Sequence, residues 1–251
     1  MNLQPFLDFA LDATWQAGRL SLGYFQTSVA VERKSDNSPV TIADRTAEQH
    51  LRSMISAKFP DHGIIGEEYG EQSGTGGLSW VIDPIDGTKS FTSGVPLYAC
   101  LLALTEGDYT HVGVAHFPAL GETVYAARGL GCFWNGRRAR VSSVSALADA
   151  VLLASEIGSY GAKAAGFERL VASTYIQRTW GDAYGYMLVA TGRAEIMVDA
   201  RMQVWDCAPF GVIMEEAGGT FTDWDGKSTI YGGEAVATNG ALFDTVMELV
   251  R

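Results

Sequence analysis

Residues 80–91 read Trp-Val-Ile-Asp-Pro-Ile-Asp-Gly-Thr-Lys-Ser-Phe, and the rest of the chain is best understood around them. The stretch opens as a short apolar strand and passes without a linker into Asp83, Asp86, Gly87 and Thr88. Two carboxylates three residues apart at a strand's end repel each other unless a cation lies between them. Mg2+ prefers such oxygen ligands, together with water and phosphate oxygens. Gly87 lets the backbone approach an anion, and a helix beginning at Thr88 would aim free N–H groups at it, so a metal and a phosphate are expected within one turn.

The same residue types also form ordinary turns. Asp, Pro and Gly are all common turn residues, and Asp-Gly is a frequent hairpin signal. A bare Asp-x-x-Asp-Gly pattern therefore leaves both interpretations open. The metal interpretation depends on other acidic residues that lie far away along the chain.

The composition is typical of a compact folded protein with an acidic surface. The 251 residues can bury a substantial core as one large domain or two closely packed ones, and 47% of them are hydrophobic while 19% are charged. The formal net charge of −11 and the sequence pI near 4.8 argue against nucleic acid as a partner of the whole surface. A single nucleotide held through a metal is still compatible with this charge.

Cysteine usage and hydropathy bear on where the protein works. Cys100, Cys132 and Cys207 are widely spaced and form no C-x-x-C pair, which argues against a disulfide framework or a thiolate zinc site and favours a reducing compartment. Residues 1–18 carry acids and lack the basic start of a secretory signal. The most apolar run, residues 95–104, is far shorter than the ~20 residues that span a bilayer. We expect a cytoplasmic protein with no membrane partner.

Hydrophobic periodicity predicts two helices and an antiparallel sheet in the first part of the chain. Apolar residues recur at helical spacing over residues 3–24 and again over 41–59. Strands are expected at residues 29–33, 64–68, 97–105, 112–117 and 123–127, with loops at 34–39 and 71–77 and a tight hairpin at Asn135-Gly136. Short turns between the later strands favour a meander packed against the two helices.

Strands and helices alternate in the second part of the chain. Strands are expected at residues 151–155, 175–178, 194–199, 220–223 and 235–238, and helices at 163–172, 183–190, 205–217 and 242–250. Such alternation predicts a mixed or parallel sheet with helices packed on it. We therefore predict an α/β (α+β) fold of two halves, residues 1–145 and 146–251, in one compact unit.

Three short motifs resemble the signature regions of the inositol monophosphatase family. They are residues 66–68 (Gly-Glu-Glu), residues 83–91, and residues 205–219, which read Trp-Asp-Cys-Ala-Pro-Phe-Gly-Val-Ile-Met-Glu-Glu-Ala-Gly-Gly. Their order and spacing also match, so the resemblance covers essentially the whole chain. It implies a layered αβαβα sandwich of the type shared with fructose-1,6-bisphosphatases. It also implies a homodimeric phosphomonoesterase with two or three Mg2+ ions in each active site.

The resemblance assigns five residues to metal ions. The implied ligands are oxygen atoms of Glu67, Asp83, Ile85 (through its main-chain carbonyl), Asp86 and Asp206. The first three would hold one Mg2+, and Asp83 would bridge to a second ion held by the two other aspartates. Four acids that converge in this way make physical sense when cations and a phosphate offset their repulsion.

The same resemblance implies how water and phosphate are handled. Thr88 and Asp44, with help from Glu67, would orient and deprotonate the attacking water. Asp86, Gly87 and Thr88 itself would bind the phosphate. A metal would stabilise the departing alkoxide, so no covalent intermediate is needed. Taken alone, Asp44 also fits an acid in the first turn of a helix, where the helix dipole favours it.

Other interpretations of these acids follow from the residues alone. Asp206 also fits an acid at a helix N-terminus, although its neighbours in the third motif favour the ligand role. The histidines, His50, His62, His111 and His116, form no ligand-spaced pair, which disfavours a histidine-rich metal phosphatase. Phosphatases with a nucleophilic aspartate use Asp-x-Asp, whereas this chain has Asp-x-x-Asp with a proline between.

Residues 178–199 most resemble the histidinol-phosphate phosphatase branch of the family. Asp199 falls at the position where family members have an acidic residue that contacts the leaving alcohol. A carboxylate there would pair with the ammonium of histidinol phosphate. Trp180, Asp182 and Tyr184 would frame an imidazole by stacking and hydrogen bonding. The two aromatic residues also fit plain core positions. Residues 207–210 (Cys-Ala-Pro-Phe) depart from the branch, which bears on the shape of the pocket.

Other activities are compatible with the same motifs. An inositol or broad-range sugar phosphatase is the main alternative, with a 3′-phosphoadenosine 5′-phosphate phosphatase behind it. An acidic metal-binding protein without turnover is a third class. Relatives that have lost catalysis are expected to lack some of the acids and the threonine of the motifs, and this chain retains all of them.

Overall fold

The computed structural model describes residues 1–158 and 160–251, which form seven α-helices and fifteen β-strands. The helices are α1 (Gln4–Leu22), α2 (Ile42–Lys58), α3 (Thr88–Thr92), α4 (Ala164–Ser173), α5 (Asp182–Ala190), α6 (Val204–Ala217) and α7 (Phe243–Val250). The strands are β1 (Val31–Arg33), β2 (Pro39–Thr41), β3 (Gly63–Gly66), β4 (Gly70–Gln72), β5 (Ser79–Asp86), β6 (Ala99–Glu106), β7 (Tyr109–Phe117), β8 (Glu122–Ala127), β9 (Gly131–Trp134), β10 (Arg137–Arg138), β11 (Val151–Ala154), β12 (Ile176–Arg178), β13 (Ile196–Asp199), β14 (Thr220–Thr222) and β15 (Ala235–Thr238).

The first sheet has the strand order β10-β9-β8-β7-β6-β5-β3-β4 and is covered on both faces. Successive side chains of a strand point to opposite faces. Trp80 and Ile82 of β5 therefore pack in the core beneath α1 and α2, whereas Val81 lies in the core shared with α6. Leu101 and Leu102 of β6 divide between the two cores in the same way.

The predicted antiparallel meander is confirmed from β5 to β9. The Asn135-Gly136 hairpin is also confirmed, since both residues have positive φ and join β9 to β10. Two details differ from the prediction. β3 pairs in parallel with β5, and the loop expected at residues 71–77 begins inside β4, which forms an antiparallel edge on β3. An exposed strand of three residues is too short to show a period of two, which is why the sequence did not reveal it.

The second sheet has the order β12-β11-β13-β15-β14 and is mixed, as predicted. β11 runs parallel to β12 and β13, while β15 is antiparallel to both β13 and β14. Helices α5 and α6 share a core with one face of this sheet, and α4 and α7 share a core with the other. The layers are therefore α1/α2, first sheet, α5/α6, second sheet and α4/α7, which confirms the αβαβα sandwich.

The two large sheets fall on either side of the proposed boundary between halves, and the two-stranded sheet of β1 and β2 lies in the first half. β10 ends at Arg138 and β11 begins at Val151. The division remains a prediction, because α6 from the second half packs closely on β6 and β7 of the first. Within the described ranges, no helix combines the length and the apolar character needed to cross a membrane.

Candidate active site

An irregularity at the end of β5 turns two acids towards the same side. Asp83 is paired with Leu101 of β6 and Asp86 with Ala99, so three steps along β5 match two steps along β6. In a regular strand, residues three apart point to opposite faces. The extra residue of a β-bulge reverses this, and Pro84 is tolerated at such a position because the ladder is already interrupted. Both carboxylates therefore point to the same side of the sheet, at the end of β5.

Helix α6 brings a third acid to this place. Asp206 is the third residue of α6, and its Oδ2 accepts the main-chain N–H of Gln203 at 2.7 Å, closing a capping box at the helix N-terminus. One carboxylate oxygen from each of Asp83, Asp86 and Asp206 lies within 4.8 Å of the other two. The structure thus brings together three predicted metal ligands from two distant segments.

Burial makes this acid cluster unfavourable without a counter-charge. Loss of hydration raises the pKa of Asp83 and of Asp86 well above its usual value, and the neighbouring carboxylates raise both further. Loss of hydration also raises the pKa of Asp206 to about 6. A cluster of oxygen donors at this spacing fits a hard divalent cation, whose charge would favour the ionised carboxylates.

Glu67 approaches the cluster from the turn that follows β3. After desolvation, the charge of Glu67 is the largest contribution to the raised pKa of Asp83, so the two carboxylates interact. Glu67 also forms an ion pair with Lys34, whose Nζ lies 2.8 Å from Glu67 Oε1 and 2.6 Å from Glu68 Oε1. Lys34 was missed from the sequence, because a lysine in a polar loop gives no sign that it reaches an acid 33 residues away.

Asp44 and Thr88 come together although 44 residues separate them. Oδ1 of Asp44 lies 3.3 Å from the Thr88 hydroxyl, which lies 2.9 Å from the main-chain carbonyl of Ile85. Oδ2 of Asp44 accepts the N–H of Thr41 at 2.8 Å and its hydroxyl at 2.6 Å, closing the capping box of α2. Burial raises the pKa of Asp44. Asp44 therefore caps a helix and contacts Thr88 at the same time.

Gly87 joins the acidic end of β5 to α3. Its φ of +81° lies in the left-handed region, which side chains other than glycine rarely adopt. A Cβ atom at this position would lie 3.0 Å from the carbonyl oxygen of Leu97 and 3.1 Å from Oδ2 of Asp182. Both the backbone conformation and the close approach therefore require glycine.

A cavity of about 660 Å³ opens beside the acid cluster. The polar groups of its inner wall are Asp86, Ser155, Asp182, Tyr186, Asp199 and Asp206. Basic groups occur towards the solvent, where Lys89 and Arg201 are mostly exposed and their charged nitrogens lie 2.7 and 3.9 Å from the carboxylate of Glu156. The interior of the cavity is therefore acidic, which suits a ligand that carries positive charge.

Asp199 ends β13 and is held from two sides. The main-chain N–H of Ser155 donates to Oδ1 at 3.0 Å, and the hydroxyl of Tyr186 donates to Oδ2 at 2.8 Å. Burial raises the pKa of Asp199 to about 7. Tyr186 was not among the predicted substrate residues. Its spacing was the available signal, since it lies four residues after Asp182 and hence on the same face of α5.

Asp182 starts α5 with an unusual backbone. Its φ is +52°, and its N–H donates to the Ser155 hydroxyl at 2.7 Å. Left-handed conformations in residues other than glycine cost energy and are concentrated at functional sites. The Asp182 carboxylate is also the neighbour that most raises the pKa of Asp86. Asp182 therefore lies between the acid cluster and the rest of the cavity.

Two of the predicted substrate residues, Trp180 and Tyr184, lie outside the set of residues that lines the cavity. Tyr184 lies about 200° around α5 from Asp182, so it faces the first sheet and packs edge-on against Phe117 with ring centroids 5.4 Å apart. Trp180 is 45% exposed, and the guanidinium of Arg178 lies 5.9 Å from the centre of its ring. Among the described residues, the aromatic side chains that line the cavity are those of Tyr160 and Tyr186.

Comparison with known proteins places the chain among phosphatases. The sequence model of the inositol monophosphatase family matches residues 2–251. A histidinol-phosphatase from Chlorobaculum parvum is 44% identical over 96% of this chain and 94% of its own length. A fructose-1,6-bisphosphatase/inositol-1-monophosphatase from Thermotoga maritima is 36% identical over 98% and 95%. The crystal structure of the extragenic suppressor protein SuhB from Bartonella henselae superposes with a TM-score of 0.92, at 28% identity, over 99% of both chains.

Together with the layered fold of this chain and the acid cluster at the end of its β5, these matches define a phosphoric monoester hydrolase. More narrowly, the chain belongs to the inositol monophosphatase family. Within that family, it is similar to proteins named histidinol-phosphatase at 39 to 44% identity over most of its length.

Proposed function

We propose that this chain is a Mg2+-dependent phosphomonoesterase that hydrolyses L-histidinol phosphate in histidine biosynthesis. The observation that carries the proposal is a pair of acids, the half-buried Asp182 and the buried Asp199, in the wall of the same cavity as the acid cluster. Histidinol phosphate has an ammonium group beside the carbon that bears its phosphate. A cavity lined by Asp182 and Asp199 would bind this positively charged ester more tightly than it would bind an ester whose alcohol is neutral.

Asp83, Asp86 and Asp206 of the acid cluster would hold two or three Mg2+ ions. Glu67 and the main-chain carbonyl of Ile85 would complete the ligand set. Divalent cations bound there would polarise the phosphoryl oxygens and make a neighbouring water more acidic. The carboxylates would stay ionised beside the cations, because the positive charge offsets the burial that otherwise raises their pKa values.

Thr88 and Asp44 would take the proton of the attacking water. The Thr88 hydroxyl can receive a proton from water and pass its own to Asp44, whose Oδ1 lies 3.3 Å away. Because burial raises the pKa of Asp44, its carboxylate is a better base than an exposed aspartate. Glu67 would help to orient the same water. Gly87 would let the main-chain N–H groups at the start of α3 approach the phosphate, beside Asp86.

Asp199 would bind the ammonium group of the substrate. Its two oxygens are oriented by Ser155 and Tyr186, and each oxygen retains a second lone pair for a ligand. Asp182 would contact the remainder of the alcohol, which for histidinol carries an imidazole. Tyr186 is proposed here in place of Tyr184, because its hydroxyl lies in the cavity wall.

A panel of substrates with the purified protein tests the proposal. We expect kcat/KM to be highest on histidinol phosphate, and lower on myo-inositol 1-phosphate and 3′-phosphoadenosine 5′-phosphate, with phosphate release dependent on Mg2+. An equal or higher value on inositol phosphate would reverse the assignment. Phosphate release that persists in Asp83→Asn, or no Mg2+-dependent release on any of the three esters, would refute this metal-dependent mechanism.

An inositol or broad-range sugar phosphatase is the second candidate. It is favoured by the 36% identity to the Thermotoga maritima relative, which is named for fructose 1,6-bisphosphate and inositol 1-phosphate. The acidic cavity favours histidinol phosphate instead, because the sugar and inositol esters offer hydroxyl groups and no cation.

We further propose that the protein is a cytoplasmic homodimer. Its cysteines, Cys100, Cys132 and Cys207, are buried thiols, as expected in a reducing compartment. Large apolar side chains are exposed beside the edge strand β12, including Ile157 at 75% and Tyr175 at 68%. Such a patch is a candidate surface for a second copy of the chain. Light scattering after size-exclusion chromatography would give twice the chain mass, and Ile157→Asp is expected to shift it towards the monomer.

A further inference from the structure

A main-chain hydrogen bond joins the turn that carries Glu67 to β5. The N–H of Glu67 donates to the carbonyl of Ile82 at 3.3 Å, and Ile82 immediately precedes Asp83. This contact sets the spacing between the backbones of Glu67 and Asp83. It leaves the next two N–H groups, those of Glu68 and Tyr69, without a partner from the sheet, and these groups decide how the turn is oriented.

Glu48 of α2 accepts both of these N–H groups. Its Oε2 lies 2.7 Å from the N–H nitrogen of Glu68, and its Oε1 lies 3.2 Å from that of Tyr69. The side chain is completely buried. Oε1 is also 2.7 Å from Nε of Arg52, one turn further along α2, and Arg52 in turn donates to the carbonyl of Gly70. A buried carboxylate is tolerated when it is paired and hydrogen-bonded in this way.

Gly66 provides the space that this arrangement needs. A Cβ atom on Gly66 would lie 2.1 Å from Oε1 of Glu48 and 2.8 Å from the guanidinium of Arg52. Any side chain at this position would push the carboxylate away from the turn. The last residue of β3 therefore lets a helix side chain pass beneath the turn that bears Glu67.

Helix α2 also positions the other side of the site. Asp44 and Glu48 are four residues apart, so they lie on the same face of α2 about 6 Å apart along its axis. Asp44 contacts Thr88 in the turn after β5, while Glu48 holds the turn after β3. One face of α2 thus contacts two turns. One turn carries Thr88, which is proposed to orient the water, and the other carries Glu67, which is a proposed metal ligand.

We propose that Glu48 is a positioning residue that orients Glu67 towards Asp83 for metal binding. This inference rests on the proposed role of Glu67 as a metal ligand. Glu48 does not touch the substrate, and it acts through the main chain of Glu68 and Tyr69. Its loss would let the turn reorient, so that Glu67 would spend less time where a cation can share it with Asp83.

The test is Glu48→Gln, with Glu195→Gln as the matched control. An amide in place of the Glu48 carboxylate presents an NH2 group to a set of donors, so at least one contact is lost. Glu195 is also a buried acid that accepts a main-chain N–H, that of Val151 at 2.7 Å. It immediately precedes β13 (Ile196–Asp199) and lies about 13 Å along the chain from Asp199. Both variants remove the charge of a buried acid that accepts a main-chain N–H. Of the two native residues, only Glu48 contacts the turn that carries Glu67.

The measurements are Mn2+ binding by calorimetry, the Mg2+ concentration for half-maximal activity, and melting temperature in chelator. We expect Glu48→Gln to weaken Mn2+ binding and raise the half-maximal Mg2+ concentration about 10- to 100-fold, the range found when a partner of a metal ligand is removed. At saturating Mg2+, kcat is expected to fall more than KM rises. Glu195→Gln is expected to match the wild type in all metal readouts, whatever its melting temperature.

Metal binding at the wild-type level in Glu48→Gln would overturn the inference. If Glu48→Gln does not fold, Gly66→Ala displaces the same carboxylate from the opposite side, and wild-type Mn2+ affinity there would overturn it equally. Glu67→Gln distinguishes failure of the proposed metal-ligand role of Glu67 from failure of the positioning role of Glu48. If it leaves Mn2+ binding and turnover unchanged, the proposed role of Glu67 fails; if it abolishes them while Glu48→Gln has no effect, only the positioning role fails.

Discussion

Replacing Asp199 by asparagine isolates the charge that is proposed to select the substrate. The side chain lies at the end of β13, where Oδ1 accepts from Ser155 and Oδ2 accepts from the Tyr186 hydroxyl. Asparagine has nearly the same shape. Its oxygen can accept from Ser155, and its NH2 group can donate to the Tyr186 oxygen after that hydroxyl rotates. The hydrogen bonds that hold the side chain are therefore conserved while the negative charge is removed.

The size of the effect follows from the kind of contact that is lost. A hydrogen bond to a charged partner in a buried place contributes about 1.5 to 3 kcal/mol. Since about 1.36 kcal/mol corresponds to a factor of ten, kcat/KM on histidinol phosphate is expected to fall roughly 10- to 150-fold in Asp199→Asn. The value on myo-inositol 1-phosphate, whose alcohol has no cation, is expected to change by less than about threefold, because only a neutral hydrogen bond is altered.

Steady-state kinetics on both esters at saturating Mg2+ measures this difference. Tyr186→Phe is the companion variant, because it keeps the charge of Asp199 and removes one of the groups that hold it. It is expected to retain most of the preference for histidinol phosphate. An equal loss on both esters in Asp199→Asn would refute the reasoning, since the residue would then support the cavity and not the ammonium group.

Three further predictions concern metal, pH and backbone. In the wild type, Mg2+ at about 100 times its dissociation constant is expected to add roughly 2.7 kcal/mol to the free energy of unfolding, and Asp83→Asn is expected to lose most of this gain together with phosphate release, measured by denaturant titration. Because the pKa of Asp199 is raised to about 7, its carboxyl is neutral below that pH and charged above it; the ratio of wild-type to Asp199→Asn kcat/KM on histidinol phosphate is expected to rise between pH 6 and pH 8, and a flat ratio would contradict the assignment. Gly87→Ala forces a left-handed residue to carry a Cβ atom, so we expect a loss of about 1 to 2 kcal/mol in the free energy of unfolding, with a larger fractional loss of activity.

Long periodic elements were the part of the fold that the sequence could predict. The first helix, for example, was expected at residues 3–24 and is observed as α1 (Gln4–Leu22). β15 (Ala235–Thr238), a short strand whose four residues are all buried, also has the predicted bounds. Hydrophobic spacing identifies a helix that buries one face, and a short continuous apolar run is consistent with a strand that is buried on both faces. Short exposed strands such as β4 and β10 bury little, so they show no alternation of buried and exposed residues. Each pairs across a short turn with the strand before it, β4 with β3 and β10 with β9.

Local spacing was less informative about which side chains meet in the cavity. Tyr184 and Tyr186 are two residues apart on one helix, and only the second faces the cavity, because two residues turn a helix by about 200°. Choosing between them requires the orientation of α5, which is set by its packing against the sheets. Lys34 and Glu48 were missed for the same reason, since each reaches the turn of Glu67 from another element.

The plain and the functional interpretations of Asp44 and Asp206 are both compatible with the structure. Each is the third residue of a helix, and each uses Oδ2 to accept the N–H of its N-cap residue, at 2.8 Å for Asp44 and 2.7 Å for Asp206. The cap fixes the rotation of the carboxylate and leaves Oδ1 outside the capping hydrogen bond; in Asp44 this oxygen contacts Thr88. The helix dipole favours the ionised form at that position, against the burial that raises both pKa values. A capping acid is thus a rigid and partly charge-stabilised donor, which is why a residue typical of a helix N-terminus also suits a metal and water site.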